Sequence, residues 1–179
     1  MEVVVDKSFA SLFKVKNGIV KYPDTVLRQT ALPVENISEV SKLIEKMSSV
    51  LRDTKGVGLA APQIGVSKRV IMVRRDTRFV LINPTVQEAS GEYCGEEGCL
   101  SIPGLWGDVK RYKNIVVTGV SPHGKETVLN LSDTEAVVVQ HEIDHLDGVL
   151  FIDRAIPETL HWYVAASQTR IPAILSNGD

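Results

Sequence analysis

The sequence predicts an α+β fold, with antiparallel sheets packed around a central C-terminal helix, and three observations carry that expectation. Apolar residues recur at helical spacing over 38–53; a second helical pattern, far downstream, opens with four apolar residues in a row; and Val, Ile and Thr crowd the stretches 69–86 and 114–131 between them. Helices set apart from runs of strands, without regular alternation, exclude a parallel βαβ architecture.

Each element has its own justification. In 38–53 the residues Val40, Leu43, Ile44, Met47, Val50 and Leu51 line one face, so this helix is amphipathic and packs on the core. The β-rich stretches are broken at Asn83-Pro84 and at Ser121-Pro122-His123-Gly124, which read as turns. A second helix over about 132–147 is signalled by a capping box, Ser132 with Glu135, by Asp133 at the positive end of the dipole, and by Gly148 as a stop. Ala136 to Val139 leave neither side of its first turns fit to face water, so it should run through the centre of the domain. A third helix is expected from Pro157, carrying Leu160, Tyr163 and Val164 on one face.

The 179 residues suit a single domain, with 1–17 as an N-terminal extension and 171–179 as a peripheral tail. Apolar residues at 44% and charged residues at 23% match ordinary globular composition. A formal net charge of -2, with basic pairs no longer than Lys68-Arg69 and Lys110-Arg111, argues against nucleic-acid binding. No apolar run approaches the roughly 18–20 residues of a membrane span, and no export signal is visible. Cys94 and Cys99 are too few for a disulfide framework, which favours a reducing, cytoplasmic setting.

The second helix carries His141-Glu142-Ile143-Asp144-His145. Histidines at i and i+4 project from one face and can reach one metal ion, while Glu142 between them can reach a water beside it. A surface helix that carries these residues without purpose is the bland reading, but three ionisable groups in an apolar helix are costly to bury without a ligand. A catalytic site needs a third ligand. The H-E-x-x-H-x-x-G-x-x-H protease pattern fails at Phe151, which disfavours a zincin-like peptidase, and Glu158 follows His145 too closely. Upstream, Cys99 in Glu97-Gly98-Cys99-Leu100-Ser101 can offer a thiolate. The competing reading joins Cys94, Cys99, His141 and His145 in a closed structural zinc site without catalysis, and leaves Glu142 unexplained.

Three segments together, Gly56-Val57-Gly58-Leu59-Ala60-Ala61-Pro62-Gln63-Ile64-Gly65, Glu97-Gly98-Cys99-Leu100-Ser101 and Gln140 through Gly148, resemble the peptide deformylases, as do Tyr22-Pro23-Asp24 and the run Gly148 to Phe151. The resemblance covers about residues 18–165. It implies that Cys99, His141 and His145 bind one divalent metal, that Glu142 is the general acid/base, and that the Gln63 amide with the Leu100 N–H stabilises the oxyanion. It further implies hydrolysis of the formyl group from N-terminal formyl-methionine, with formate released. Ferrous iron is then the expected ion in the cell, with Zn(2+), Ni(2+) or Co(2+) as replacements. Substrates are the N-formyl-Met peptides of nascent chains, with the ribosome as a candidate meeting place and a monomer as the expected state. An extended substrate would add as a strand along the Val57, Gly58 and Gly98 wall, and Val137 and Val138 would line a methionine pocket, with Val57 and Trp106 weaker candidates for it. Glu97 and Arg111 correspond to a charged pair beside the metal loop. Asp144, on another helical face, stands outside the catalytic set and would either support a histidine or form a plain structural salt bridge.

Overall fold

The structure is a computed structural model describing residues 2–5, 7–14, 17–75, 77–164 and 169–176. In chain order the elements are β1 (Glu2–Val3), α1 (Ala10–Phe13), α2 (Ser41–Arg52), β2 (Gly58–Ala60), β3 (Val70–Arg74), β4 (Arg78–Cys99), β5 (Ile102–Val120), β6 (Glu126–Ser132), α3 (Asp133–Leu146), β7 (His161–Val164), β8 (Thr169–Pro172) and β9 (Leu175–Ser176). The main sheet is antiparallel in the order β2-β3-β4-β5-β7-β8, with β6 also paired to β5, and β1 pairs with β9 separately. The α+β expectation holds.

Helix α2 buries Met47 and Leu51 fully, as its apolar spacing demands, and a 3-10 turn over Ile37–Val40 leads into it. Helix α3 is the central element. Ala136, Val138, Val139 and Leu146 pack with Ile71, Val73 and Leu81 of β3 and β4 and Ile115 and Val117 of β5, so its first turns are enclosed as their composition requires.

Three local expectations are corrected. Asn83-Pro84 is no turn but an irregularity inside the 22-residue β4, where the register to β5 shifts between Ile82 and Thr85. Asn83, at φ 50°, exchanges two 2.8 Å hydrogen bonds with the Val34 backbone and so anchors the kink. The capping box does not form: Ser132 makes no side-chain cap, and Glu135 instead accepts from the Thr77 N–H and hydroxyl at 3.1 and 2.6 Å. Pro157 starts only a three-residue 3-10 turn, after which His161–Val164 enter the sheet as β7. Trp162 is buried there opposite Leu105, so an edge of β5 wins over the helical spacing. At the chain ends, β1 pairs with β9, and Phe9 is buried, stacked on Trp162 at 4.9 Å between ring centroids. Positions 1, 6, 15, 16 and 177–179 of those ends lie outside the described residues.

Candidate active site

Strands β4 and β5 form one long hairpin, and Cys99 is the last residue of its first arm, where the pairing slips between Gly98 and Cys99. That slip sets the Cys99 side chain against α3. Its Sγ lies 3.2 Å from His145 Nε2, and the Ser101 N–H donates to it at 3.4 Å. Cys99, His141 and His145 offer ligand atoms all within 4.8 Å of one another, the metal-capable group found among the described residues. Cys94 is exposed and lines a different hollow with Lys110 and Tyr112, which disfavours the closed four-ligand site. Phe151, where the protease pattern would need a histidine, stacks on His141 at 6.4 Å between centroids.

The metal fit can be judged from the donors. His141 Nδ1 donates to Glu97 Oε2 at 2.8 Å, which fixes the ring and turns its other nitrogen inward. Burial opposes a charged Cys99, but the neighbouring His145 and His141 outweigh it and hold the thiol well below its ordinary value, which favours the ligating thiolate. The same thiolate and Glu97 raise His141 well above its ordinary value against the pull of burial. Among the described residues, Glu142 Oε2 and His145 Nδ1 are buried with no hydrogen-bond partner, the signature of a polar site shaped for something further. One thiolate and two imidazoles on a closed face, with a buried carboxylate beside them, fit a catalytic divalent ion.

Glu142 is 4% exposed, and burial pushes its carboxyl up to about 7 although His141 and His145 pull the other way. Glu97, by contrast, falls to about 2: burial would raise it, but hydrogen bonds from His141 and Arg111 prevail. Arg111 grips Glu97 through Nε at 2.8 Å and Nη2 at 3.0 Å, and reaches Asp144 with Nη1 at 2.5 Å. Arg154 closes the other side of Asp144 at 2.6 and 2.7 Å. Asp144 thus belongs to an ion-pair chain that is buried at Glu97 and Arg111 and opens to the surface at Arg154.

The 3-10 turn Ala61–Ile64 positions Gln63, which is 1% exposed. Its Oε1 accepts from the Ala60 N–H at 2.8 Å, which leaves Nε2 aimed at the site, 3.5 Å from Cys99 Sγ and 3.4 Å from Ser101 Oγ. Lys21, which sequence reasoning missed, donates to the Leu100 carbonyl at 2.8 Å and to Asn17 at 3.3 Å. Nothing local in the sequence marks it, because its partner lies 79 positions away.

Val57, Gly58, Gln63, Gly98, Cys99, Leu100, Val137, Val138, His141 and Glu142 all line one cleft of about 540 Å³, with Trp106 on its wall; His145 lies buried beneath. A Cβ on Gly58 would stand 2.2 Å from Glu142 Oε1, and one on Gly98 2.9 Å from the Trp106 ring, so both glycines are required by close approach. Strand β2 ends the main sheet, and over Gly95–Gly98 strand β4 pairs only with β5, so two open strand edges face the cleft.

The profile of the polypeptide deformylase family matches residues 16–160. A curated peptide deformylase from Heliobacterium modesticaldum is 48% identical over 138 residues, 76% of this chain and 91% of the relative. The crystal structure of the Thermotoga maritima peptide deformylase superposes with a TM-score of 0.75 at 39% identity, covering 78% of this chain and 97% of that one. A class I type b peptide deformylase from Acinetobacter baumannii, solved bound to Met-Ala-Ser, gives a TM-score of 0.72 at 34% identity, covering 76% and 96%.

Proposed function

The chain belongs to the peptide deformylase family, metal-dependent hydrolases of N-terminal formyl-methionine, and from that premise we propose how its own residues carry the reaction. Cys99, His141 and His145 would hold the ion. When bound, it would lower the pKa of water and polarise the formyl oxygen. Ferrous iron is the proposed ion in the cell, with zinc, nickel and cobalt as replacements, because a mixed thiolate and imidazole set accepts all four.

Glu142 takes a proton from the attacking water as its oxygen bonds to the formyl carbon. The C–N bond then breaks, formate leaves, and Glu142 returns the proton to the freed methionine nitrogen. A carboxyl near pH 7 suits both transfers. Gln63 Nε2, locked by the Ala60 N–H, and the Leu100 N–H donate to the developing oxyanion. Lys21 steadies that loop through the Leu100 carbonyl. Val137 and Val138, one turn before His141 and Glu142, provide the apolar wall for the methionine side chain. The peptide lies extended between the edges of β2 and β4.

The observation that carries this reading is the close set of three ligand atoms beside the buried Glu142. We also propose that 1–179 acts as one catalytic domain, monomeric and cytoplasmic, on nascent chains at the ribosome; the shared sheet supports the first, and among the described residues no helix is long and apolar enough to cross a membrane.

The test is anaerobic hydrolysis of formyl-Met-Ala-Ser by iron-loaded protein, followed by formate release. Formate from this peptide, with none released from its acetylated and unformylated counterparts, is expected. No release with iron, zinc, nickel or cobalt would overturn the assignment.

A further inference from the structure

We infer that Lys55 gives this chain a preference for substrates with a carboxylate side chain at the third residue of the formylated peptide. The inference rests on the deformylase reading, and the cleft supplies the direction in which a substrate must run. Gly58 faces Glu142 Oε1, so the reacting amide lies beside that glycine. Beyond it in one direction stand Leu59 and Ala60, both fully buried, which leave no path. In the other direction Val57, Gly56 and Lys55 all line the cleft. The formylated end therefore sits at Gly58 and the chain leaves past Val57 towards Lys55, antiparallel to β2. At about 3.3 Å per residue, methionine lies by Gly58, the second residue by Val57, and the third by Gly56 and Lys55.

Lys55 is held ready for this contact. The Arg74 guanidinium donates to the carbonyls of Thr54 and Gly56, both at 3.2 Å, and the Arg74 N–H donates to Val57 at 2.7 Å. These bonds fix the backbone on both sides of Lys55, while its side chain is exposed and has no ion pair among the described residues. The acidic residues of the opposite wall are already matched: Glu97 is gripped by Arg111, and Glu96 lies 3.2 Å from Arg170 and 3.6 Å from His161. Among the described residues, the charge left unmatched where the substrate departs is thus the Lys55 ammonium.

The experiment compares kcat/KM for formyl-Met-Ala-Glu, formyl-Met-Ala-Gln and formyl-Met-Ala-Lys, all amidated at the C-terminus so that only the side chain carries charge. The expected order is Glu over Gln over Lys, each step about two- to fivefold, the range of an exposed ion pair. Raising salt to about 0.5 M should compress the differences. Lys55→Glu should reverse the order, and Lys55→Arg should keep it. Equal values for the three peptides, or an order unchanged in Lys55→Glu, would overturn the inference. Failure of the deformylase reading would show separately, as no formate from the uncharged Gln peptide.

Discussion

Glu142 and Glu97 lie close together yet are driven apart in acidity, because burial dominates the first and paired cations dominate the second. Among the described residues Glu142 Oε2 has no hydrogen-bond partner, so truncating it should leave the candidate ligands in place. Glu142→Ala is therefore expected to bind metal at the same stoichiometry, read by elemental analysis, while kcat falls by about 10² to 10⁴. Loss of the ion would make Glu142 a ligand instead of a proton carrier. Glu97 yields a prediction in pH. Its folded value lies below the ordinary carboxylate value of 4.5, so its contribution to stability is complete above that value and is lost as pH falls towards 2. The thermal midpoint should drop across that window, and Glu97→Gln should flatten the drop while lowering stability at neutral pH. A parallel acid profile in the variant would remove Glu97 from the account. The candidate ligand histidines were legible because i, i+4 spacing is local, and Cys99 because the pair lacked a third candidate beside it. Lys21 and Arg154 were not, since their roles rest on contacts that only the folded chain brings about.

Helix α3 ends because Gly148 takes φ 72°, and there the chain passes so close to the preceding loop that a Cβ would stand 2.6 Å from the Arg28 carbonyl. Gly148→Ala should cost about 1–3 kcal/mol, through both the left-handed backbone and the clash, read as a lower midpoint in urea. An unchanged midpoint would mean that the loop yields freely. This stop was readable in advance, as were the buried first turns, because glycine and four adjacent apolar residues speak for themselves. The start was not: Glu135 could cap Ser132 or hold Thr77, and only the approach of the turn before β4 decides for Thr77. The same limit explains β4 and β5. Residues 88–92 are exposed and polar, so nothing in their pattern marks a strand, yet pairing to 112–116 extends the hairpin through them. Segment 157–164 failed for the opposite reason, since an apolar spacing that suits a helix suits equally a strand with a buried Trp162.

Across the molecule, three clusters of buried residues share the load, and the one formed by Phe9, Leu27, Ile102, Leu105, Phe151 and Trp162 joins the N-terminal segment to the sheet behind the cleft. Phe9→Ala should lower stability by about 3 kcal/mol, with a fall in melting temperature of about 6–12 °C and a change in the emission of Trp162. A melting temperature within a degree or so of the parent would make that segment an ornament.

Strand β2 is only three residues long. Exposed strand edges invite the edges of other sheets, and proteins commonly blunt them with brevity and with lysine. An edge this short, walled by α3 and the β4–β5 hairpin, admits a single extended chain end but gives no footing to another folded sheet. The feature proposed to let the cleft receive many different peptides would thus also guard the protein against aggregation with its own copies.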